Sequence, residues 1–205
     1  MKKPQIIIIV FLISLSICAL ASMQAKAAGL DHFVVSAPGS VTAGSVFTLT
    51  VTAKNASENT VTSYNSSVGL NASSGSISPT STGTSGWSSG VWSSSSVTLS
   101  AAGSITITAN DGSGHTGTAT LTVTAGSLDH ITASVSPASV TAGSTSTGTA
   151  TAFDAQNNNL GVVSASWSIP AGGDGGSWSS NVYTSHTAGT YTVQAAYSGR
   201  LRRLL

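Results

Sequence analysis

Apolar and polar residues alternate along much of this chain with a period of two. Phe47, Leu49, Val51 and Ala53 take turns with Thr48, Thr50 and Thr52. Ile105, Ile107 and Ala109 alternate with Thr106 and Thr108, and Ala119, Leu121 and Val123 with Thr118, Thr120, Thr122 and Thr124. Shorter pieces of the pattern are Val97-Thr98-Leu99 and Val68-Gly69-Leu70. That period places the apolar side chains on one face of an extended chain and the threonines on the other, so these runs predict strands buried on one side. Threonine is β-branched and suits the solvent face of a strand. No window carries the 3.6-residue period of a helix.

Turn residues punctuate the runs. Ala43-Gly44-Ser45 leads into one strand and Ala102-Gly103-Ser104 into another. Asp111-Gly112-Ser113-Gly114 separates two runs that should pair as a hairpin. About seven short strands in about a hundred residues predict an antiparallel sandwich of the immunoglobulin type.

The head of the pattern returns about a hundred residues later, a domain-sized rather than a solenoid-sized period. Leu30-Asp31-His32-Phe33 followed by Val41-Thr42-Ala43-Gly44-Ser45 is matched by Leu128-Asp129-His130-Ile131 followed by Val140-Thr141-Ala142-Gly143-Ser144. Trp87-Ser88-Ser89-Gly90-Val91-Trp92 corresponds to Trp178-Ser179-Ser180-Asn181-Val182-Tyr183, and Gly103-Ser104-Ile105-Thr106-Ile107 to Gly189-Thr190-Tyr191-Thr192-Val193. Gly in one copy and Asn in the other predict a hairpin turn with a positive φ.

Two differences separate the copies. In the second, the inward row of the second strand is Ser146, Gly148, Ala150 and Ala152, so a Phe-Leu-Val row shrinks, and Trp167, Ile169, Tyr191, Val193 and Tyr197 are the residues able to refill it. The second copy also has no counterpart of the last strand, Gly117 to Val123. After Ser198-Gly199 the chain reads Arg200-Leu201-Arg202-Arg203-Leu204-Leu205. A missing strand removes about three inward side chains, each contributing roughly 1.5–3 kcal/mol, and leaves an open edge that invites self-association. The expectation is truncation or a frame shift after Gly199, the alternative being a tail that serves as an improvised strand.

The expected organisation is therefore all-β, with two tandem immunoglobulin-like antiparallel β-sandwich domains, the second lacking its last strand. Residues 1–27 form a signal peptide, 28–126 the first sandwich, 127–199 the second, incomplete one, and 200–205 a basic and apolar tail. Lys2 and Lys3, the apolar run from Ile6 to about Leu20 and the small-x-small end Ala25-Lys26-Ala27 predict secretion with cleavage after Ala27. The apolar run, about 15 residues, is short of the roughly 20 that a spanning anchor needs. No membrane span is expected after cleavage.

Cleavage changes the chemistry available. Cys18 is the only cysteine and leaves with the leader, where it reads as filler of the apolar run rather than a lipidation site. No disulfide then staples either module. Past Ala27 and before the arginine tail, Lys54 stands against Asp31, Glu58, Asp111, Asp129, Asp154 and Asp174. The basic footprint that nucleic acid requires is missing. Serine and threonine make up about a third of the residues, a composition shared with disordered stalks, but the period-2 runs argue for folded strands.

The sequence resembles the bacterial and archaeal immunoglobulin-like repeats of surface proteins, the Big-type group that includes invasin- and intimin-like stalks. The resemblance rests on Leu30-Asp31-His32-Phe33-Val34-Val35, on Val41-Thr42-Ala43-Gly44, and on Thr50-Val51-Thr52-Ala53-Lys54-Asn55-Ala56 with Asn59 following. It covers nearly all of Leu30 to Gly199. Such repeats carry an Asp-Ala-x-Gly-Asn turn after the second strand. Here it reads Asn55-Ala56-Ser57-Glu58-Asn59, and in the second copy Asp154-Ala155-Gln156-Asn157-Asn158. If the glycine site needs φ > 0, Asn157 tolerates it and Glu58 is strained.

Candidate chemistry is sparse. His32 and His130 hold equivalent places, which predicts a shared structural job; no metal-ligand spacing accompanies them. Asp111-Gly112-Ser113-Gly114 looks like part of a calcium loop but supplies too few oxygens, so no metal and no cofactor are expected. No nucleophile elbow occurs and Glu58 is the only glutamate, so no catalytic residue and no enzymatic activity are expected. Asn55, Asn65 and Asn71 head glycosylation sequons. Trp87, Trp92, Trp178 and Tyr183 are candidates for stacking on a ligand, set against core and hairpin packing.

The resemblance implies a secreted or cell-surface, non-enzymatic spacer or adhesion stalk whose partners are cell-surface proteins or glycans. The alternative is a carbohydrate-binding module that uses exposed Trp and Tyr.

Overall fold

The computed structural model describes residues 29–170 and 175–197, and residues 200–203 as backbone. The leader, Cys18 and the Ala27 cleavage site lie outside the described residues. The protein is all-β: the described residues contain no helix, and every strand pair with a defined register is antiparallel. The chain divides into two compact units. One holds Ser45–Val123 with the described residues up to Val41, and the other holds Thr42–Gly44 and the residues from Thr124 onward.

The first module has two sheets. One is ordered β1 (His32–Ser36), β3 (Phe47–Lys54), β7 (Val91–Leu99) and β5 (Ile77–Ser78), with β6 (Trp87–Ser88) also pairing β7. The other is ordered β2 (Ser40–Thr42), β9 (Thr116–Thr124), β8 (Gly103–Asn110) and β4 (Gly69–Ala72). The alternation is realised as expected. Phe47, Leu49, Val51 and Ala53 are buried from one sheet, and Leu70, Ile105, Ile107, Ala109, Leu121 and Val123 from the other. Their threonine neighbours pair outside, Thr106 Oγ1 lying 2.9 Å from Thr120 Oγ1 across β8 and β9. At one corner the sheets approach so closely that a Cβ on Gly117 of β9 would collide with the Phe33 carbonyl of β1.

The second module repeats the plan with less material. One sheet runs β10 (Leu128–Ser136), β11 (Thr145–Asp154), β15 (Val182–Ser185) and β14 (Gly176–Ser179), with β12 (Asn159–Val163) also on β11. The other runs β13 (Ser166–Ser168), β16 (Gln194–Tyr197) and β17 (Arg200–Arg203). Of the buried apolar residues among those described, this module supplies only Ile131, Ala150, Ala152, Tyr183 and Ala195. Trp167 and Tyr197 pack against that cluster. A Cβ on Gly148 would come within 2.7 Å of the Trp167 indole, so the ring sits over the space opened by the small row of β11. Ile169, Tyr191 and Val193 are only half-buried.

The tail differs from the expectation of a module left without its last strand. Arg200–Arg203 pair with Tyr197–Gln194 as a short edge strand, because ladder bonds come from the backbone and need no particular side chains.

Candidate functional site

Four sets of residues carry what chemistry the described chain offers: the turns after β3 and β11, the histidines at the module heads, the loop between β8 and β9, and the aromatic hairpins.

The two turns are built alike. Asn55 Oδ1 accepts hydrogen bonds from the N–H groups of Ser57 and Asn59, both at 3.0 Å. Asp154 Oδ1 accepts from Gln156 at 2.9 Å and Asn158 at 2.8 Å. Glu58 and Asn157, at the glycine site, have φ of 61° and 63°. The first turn thus adopts the repeat geometry despite its glutamate. Asp154 does more than Asn55: its Oδ2 accepts from the Gly126 N–H and from Asn158 Nδ2, each at 2.8 Å. Burial alone would raise this carboxyl, which is fully buried. The Asn158 amide and the N–H groups of Gly126, Asn158 and Gln156 outweigh burial and hold it below the ordinary carboxylate value.

At the module heads, His32 Nδ1 lies 3.0 Å from Asp31 Oδ2 and His130 Nδ1 lies 3.1 Å from Asp129 Oδ2. His32 also reaches Glu58 Oε1 at 3.5 Å, while His130 stacks on Phe153. Each histidine thus lies against the end of the second strand of its own module. Between β8 and β9, Asp111 Oδ1 accepts from the N–H groups of Ser113 and His115, and its Oδ2 lies 2.6 Å from His115 Nδ1. Burial pushes this carboxyl up, and the His115 ring with the two N–H groups pulls it further down, below its ordinary value. The carboxylate is used by its own hairpin loop. Among the described residues no three His, Cys, Asp or Glu side chains are grouped to hold a metal ion.

The aromatic candidates belong to two hairpins whose rings turn inward. Trp92 is 5% exposed and Tyr183 8%. Trp87 is half-buried, edge-on to Tyr64 at 4.8 Å, and its indole N–H donates to Thr82 Oγ1 at 3.2 Å. Trp178 lies between Trp167, stacked at 5.0 Å, and Tyr183 at 5.2 Å. Each ring has a packing partner, so the four do not form an open platform. Among the sequons, Asn65 and Asn71 are exposed, whereas Asn55 is 7% exposed and committed to its turn.

The hairpins also expose a difference that identical strand patterns conceal. In the first module Thr52 of β3 pairs with Val91; in the second, Thr147 of β11 pairs with Val182. The residue equivalent to Thr52 is Thr151, and it is already paired with Val162 of β12. The hairpin has moved along β11 because β12 occupies its former place. Hence Gly90 and Asn181 meet different surroundings. A Cβ on Gly90 would collide with the Val61 carbonyl, whereas Asn181 accepts from the Gly148 N–H at 2.7 Å and returns an Nδ2 bond at 3.1 Å. In the first turn Ser89 and Gly90 both have positive φ; in the second the positive φ falls on Ser180.

No family model and no curated protein matches the chain. Among solved structures it is similar to domains 1–6 of the surface layer protein SbsC at 18% identity and a TM-score of 0.34, over 86% of this chain and 25% of that one. It is similar to domains 5–6 of SbsC at 18% identity and a TM-score of 0.32, over 84% of this chain and 93% of that one. The Escherichia coli adhesin FdeC gives 23% identity and a TM-score of 0.34, over 84% of this chain and 62% of that one. This chain thus spans a quarter of the first of these structures.

Proposed function

We propose that this protein is a non-enzymatic, extracellular or cell-surface chain whose tandem immunoglobulin-like modules act as a spacer or adhesion stalk. The observation that carries the reading is that the chain builds the same long inner strand, and the same turn after it, twice around different side chains. Glu58 and Asn157 share a backbone conformation, and Leu49 and Val51 give way to Gly148 and Ala150. What repeats is a shape rather than a set of reactive groups. The basic, apolar and small-x-small order of the first residues supports export. The outward threonine ladders support a folded, solvent-facing module with little charge.

Replacing the first module by an unrelated sandwich of equal length, in cells that display the protein, tests the reading. A spacer keeps its reach and its surface exposure after the exchange. Loss of adhesion with unchanged display, reproduced by Trp87→Ala alone, would move the function from the frame to the aromatic hairpin.

A further inference from the structure

The shifted hairpin of the second module leaves an opening along β11. Pairing with β12 ends at Val163↔Ala150 and pairing with β15 starts at Val182↔Thr147, so Gly148 and Thr149 lie between two strand ends. In the first module the equivalent residues, Leu49 and Thr50, pair with Ser94 and Ser93 of β7. There Thr50 Oγ1 lies 3.2 Å from Ser93 Oγ. Its counterpart, the Thr149 hydroxyl, has no hydrogen bond among the described residues.

A cavity of about 330 Å³ occupies the opening. Trp167 lines it, and its indole reaches this place because Gly148 has no Cβ to block the ring. The stack on Trp178 at 5.0 Å holds the ring in position. Ser164, Ser180 and Asn181, all exposed, line it as well. Asn181 spends its Nδ2 on the Gly148 carbonyl at 3.1 Å, which leaves its Oδ1 uncommitted. The Ser164 and Ser180 hydroxyls and the Trp167 indole N–H make no hydrogen bond among the described residues. No charged side chain among the described residues lines the cavity.

We propose that this opening is a binding site for a neutral sugar. An ion would lose its hydration there without gaining an opposite charge. A wholly apolar ligand would cover hydroxyls and an amide without pairing them. An extended peptide finds few ladder bonds, because the Gly148 N–H and carbonyl are both taken by Asn181. A sugar ring meets the lining on both counts. Its C–H groups pack on the indole, and its hydroxyls exchange hydrogen bonds with Thr149, Ser164, Ser180 and Asn181. The volume lies near the low end of the roughly 300–1,000 Å³ of ligand pockets, which suits a terminal sugar better than a long glycan. The place differs from the two aromatic hairpins considered above, whose rings turn inward. Such a site is independent of the spacer role, since a chain that binds no sugar keeps its reach.

The test uses isotope-labelled residues 28–205 and four probes: the methyl glycosides of glucose, galactose and mannose, and N-acetylglucosamine. At least one, at tens of millimolar, should shift the Trp167 indole N–H and the Thr149 and Ser164 amides saturably in nuclear magnetic resonance spectra. Thr149→Val combined with Ser164→Ala keeps the shape of the site but removes two hydroxyls, and should weaken binding at least about tenfold. Trp87→Ala, in the first module, should leave it unchanged. Unshifted amides away from the cavity verify that the double variant folds. Absence of saturable shifts with all four probes would overturn the proposal. So would equal binding by the double variant, or shifts confined to the first module.

Discussion

Glu58 and Asn157 hold the same left-handed backbone conformation, φ 61° and 63°, at equivalent places in the turns that close β3 and β11. The surrounding bonds match as well: Glu58 N–H donates to the Asn55 carbonyl at 2.9 Å and Asn157 N–H to the Asp154 carbonyl at 3.0 Å. Asparagine visits this region readily and glutamate does not, so the first module carries local strain that the second avoids.

Glu58→Asn should therefore stabilise the first module by about 1 kcal/mol, raising its Tm by roughly 4–8 °C. Asn157→Val should do the reverse in the second. Calorimetry on residues 28–205 reads both, and an unchanged first transition in Glu58→Asn would contradict the strain.

Gly148 and Trp167 form one packing unit. Gly148→Val should destabilise the second module, because any Cβ there meets the indole at 2.7 Å. Trp167→Ala should cost about 3 kcal/mol, near the low end for a lost tryptophan because the ring is half-buried. Chemical denaturation followed by Trp and Tyr fluorescence distinguishes these losses from any change in the first module.

Asp154 makes the second module sensitive to acid. Its folded-state pKa is depressed, so its contribution is present above the ordinary carboxylate value and is lost as pH falls through the lower, folded value. Asp154→Asn keeps an acceptor for Gln156 and Asn158 but turns an amide toward two donors, from Gly126 and Asn158. The variant should be about 1–3 kcal/mol less stable at neutral pH. The gap should begin to narrow as pH falls below the ordinary carboxylate value and close once pH has passed the lower, folded one. A gap that persisted in acid would show that the charge is not its source.

The hairpin residues should not be interchangeable. Gly90→Asn should destabilise the first module by more than about 2 kcal/mol, since backbone rather than a movable side chain blocks the new Cβ. Asn181→Gly should cost the second about 1 kcal/mol through its lost bond to the Gly148 carbonyl. Similar losses from both would contradict the shifted register.

Much of the frame was legible in the residues. The alternation from Phe47 to Ala53 became β3, and the Asp111–Gly114 turn joined β8 to β9, whereas the residues left open whether Glu58 would take the positive φ that it has. The hairpin shift was not legible, because Thr52 and Thr151 have the same local pattern and only the competing β12 tells them apart. The stacking candidates looked alike in sequence, but burial of Trp92 and Tyr183 depends on strands far from them in the chain.

Pulling residues 28–205 from both ends tests the central claim, two independent load-bearing modules, most directly. Two separate unfolding events are expected. The weaker should release the second module and the stronger the first, each lengthening the chain by about 3.3–3.6 Å per residue freed, less the folded span. A single cooperative event, or a second module as resistant as the first despite its thinner core, would contradict the account.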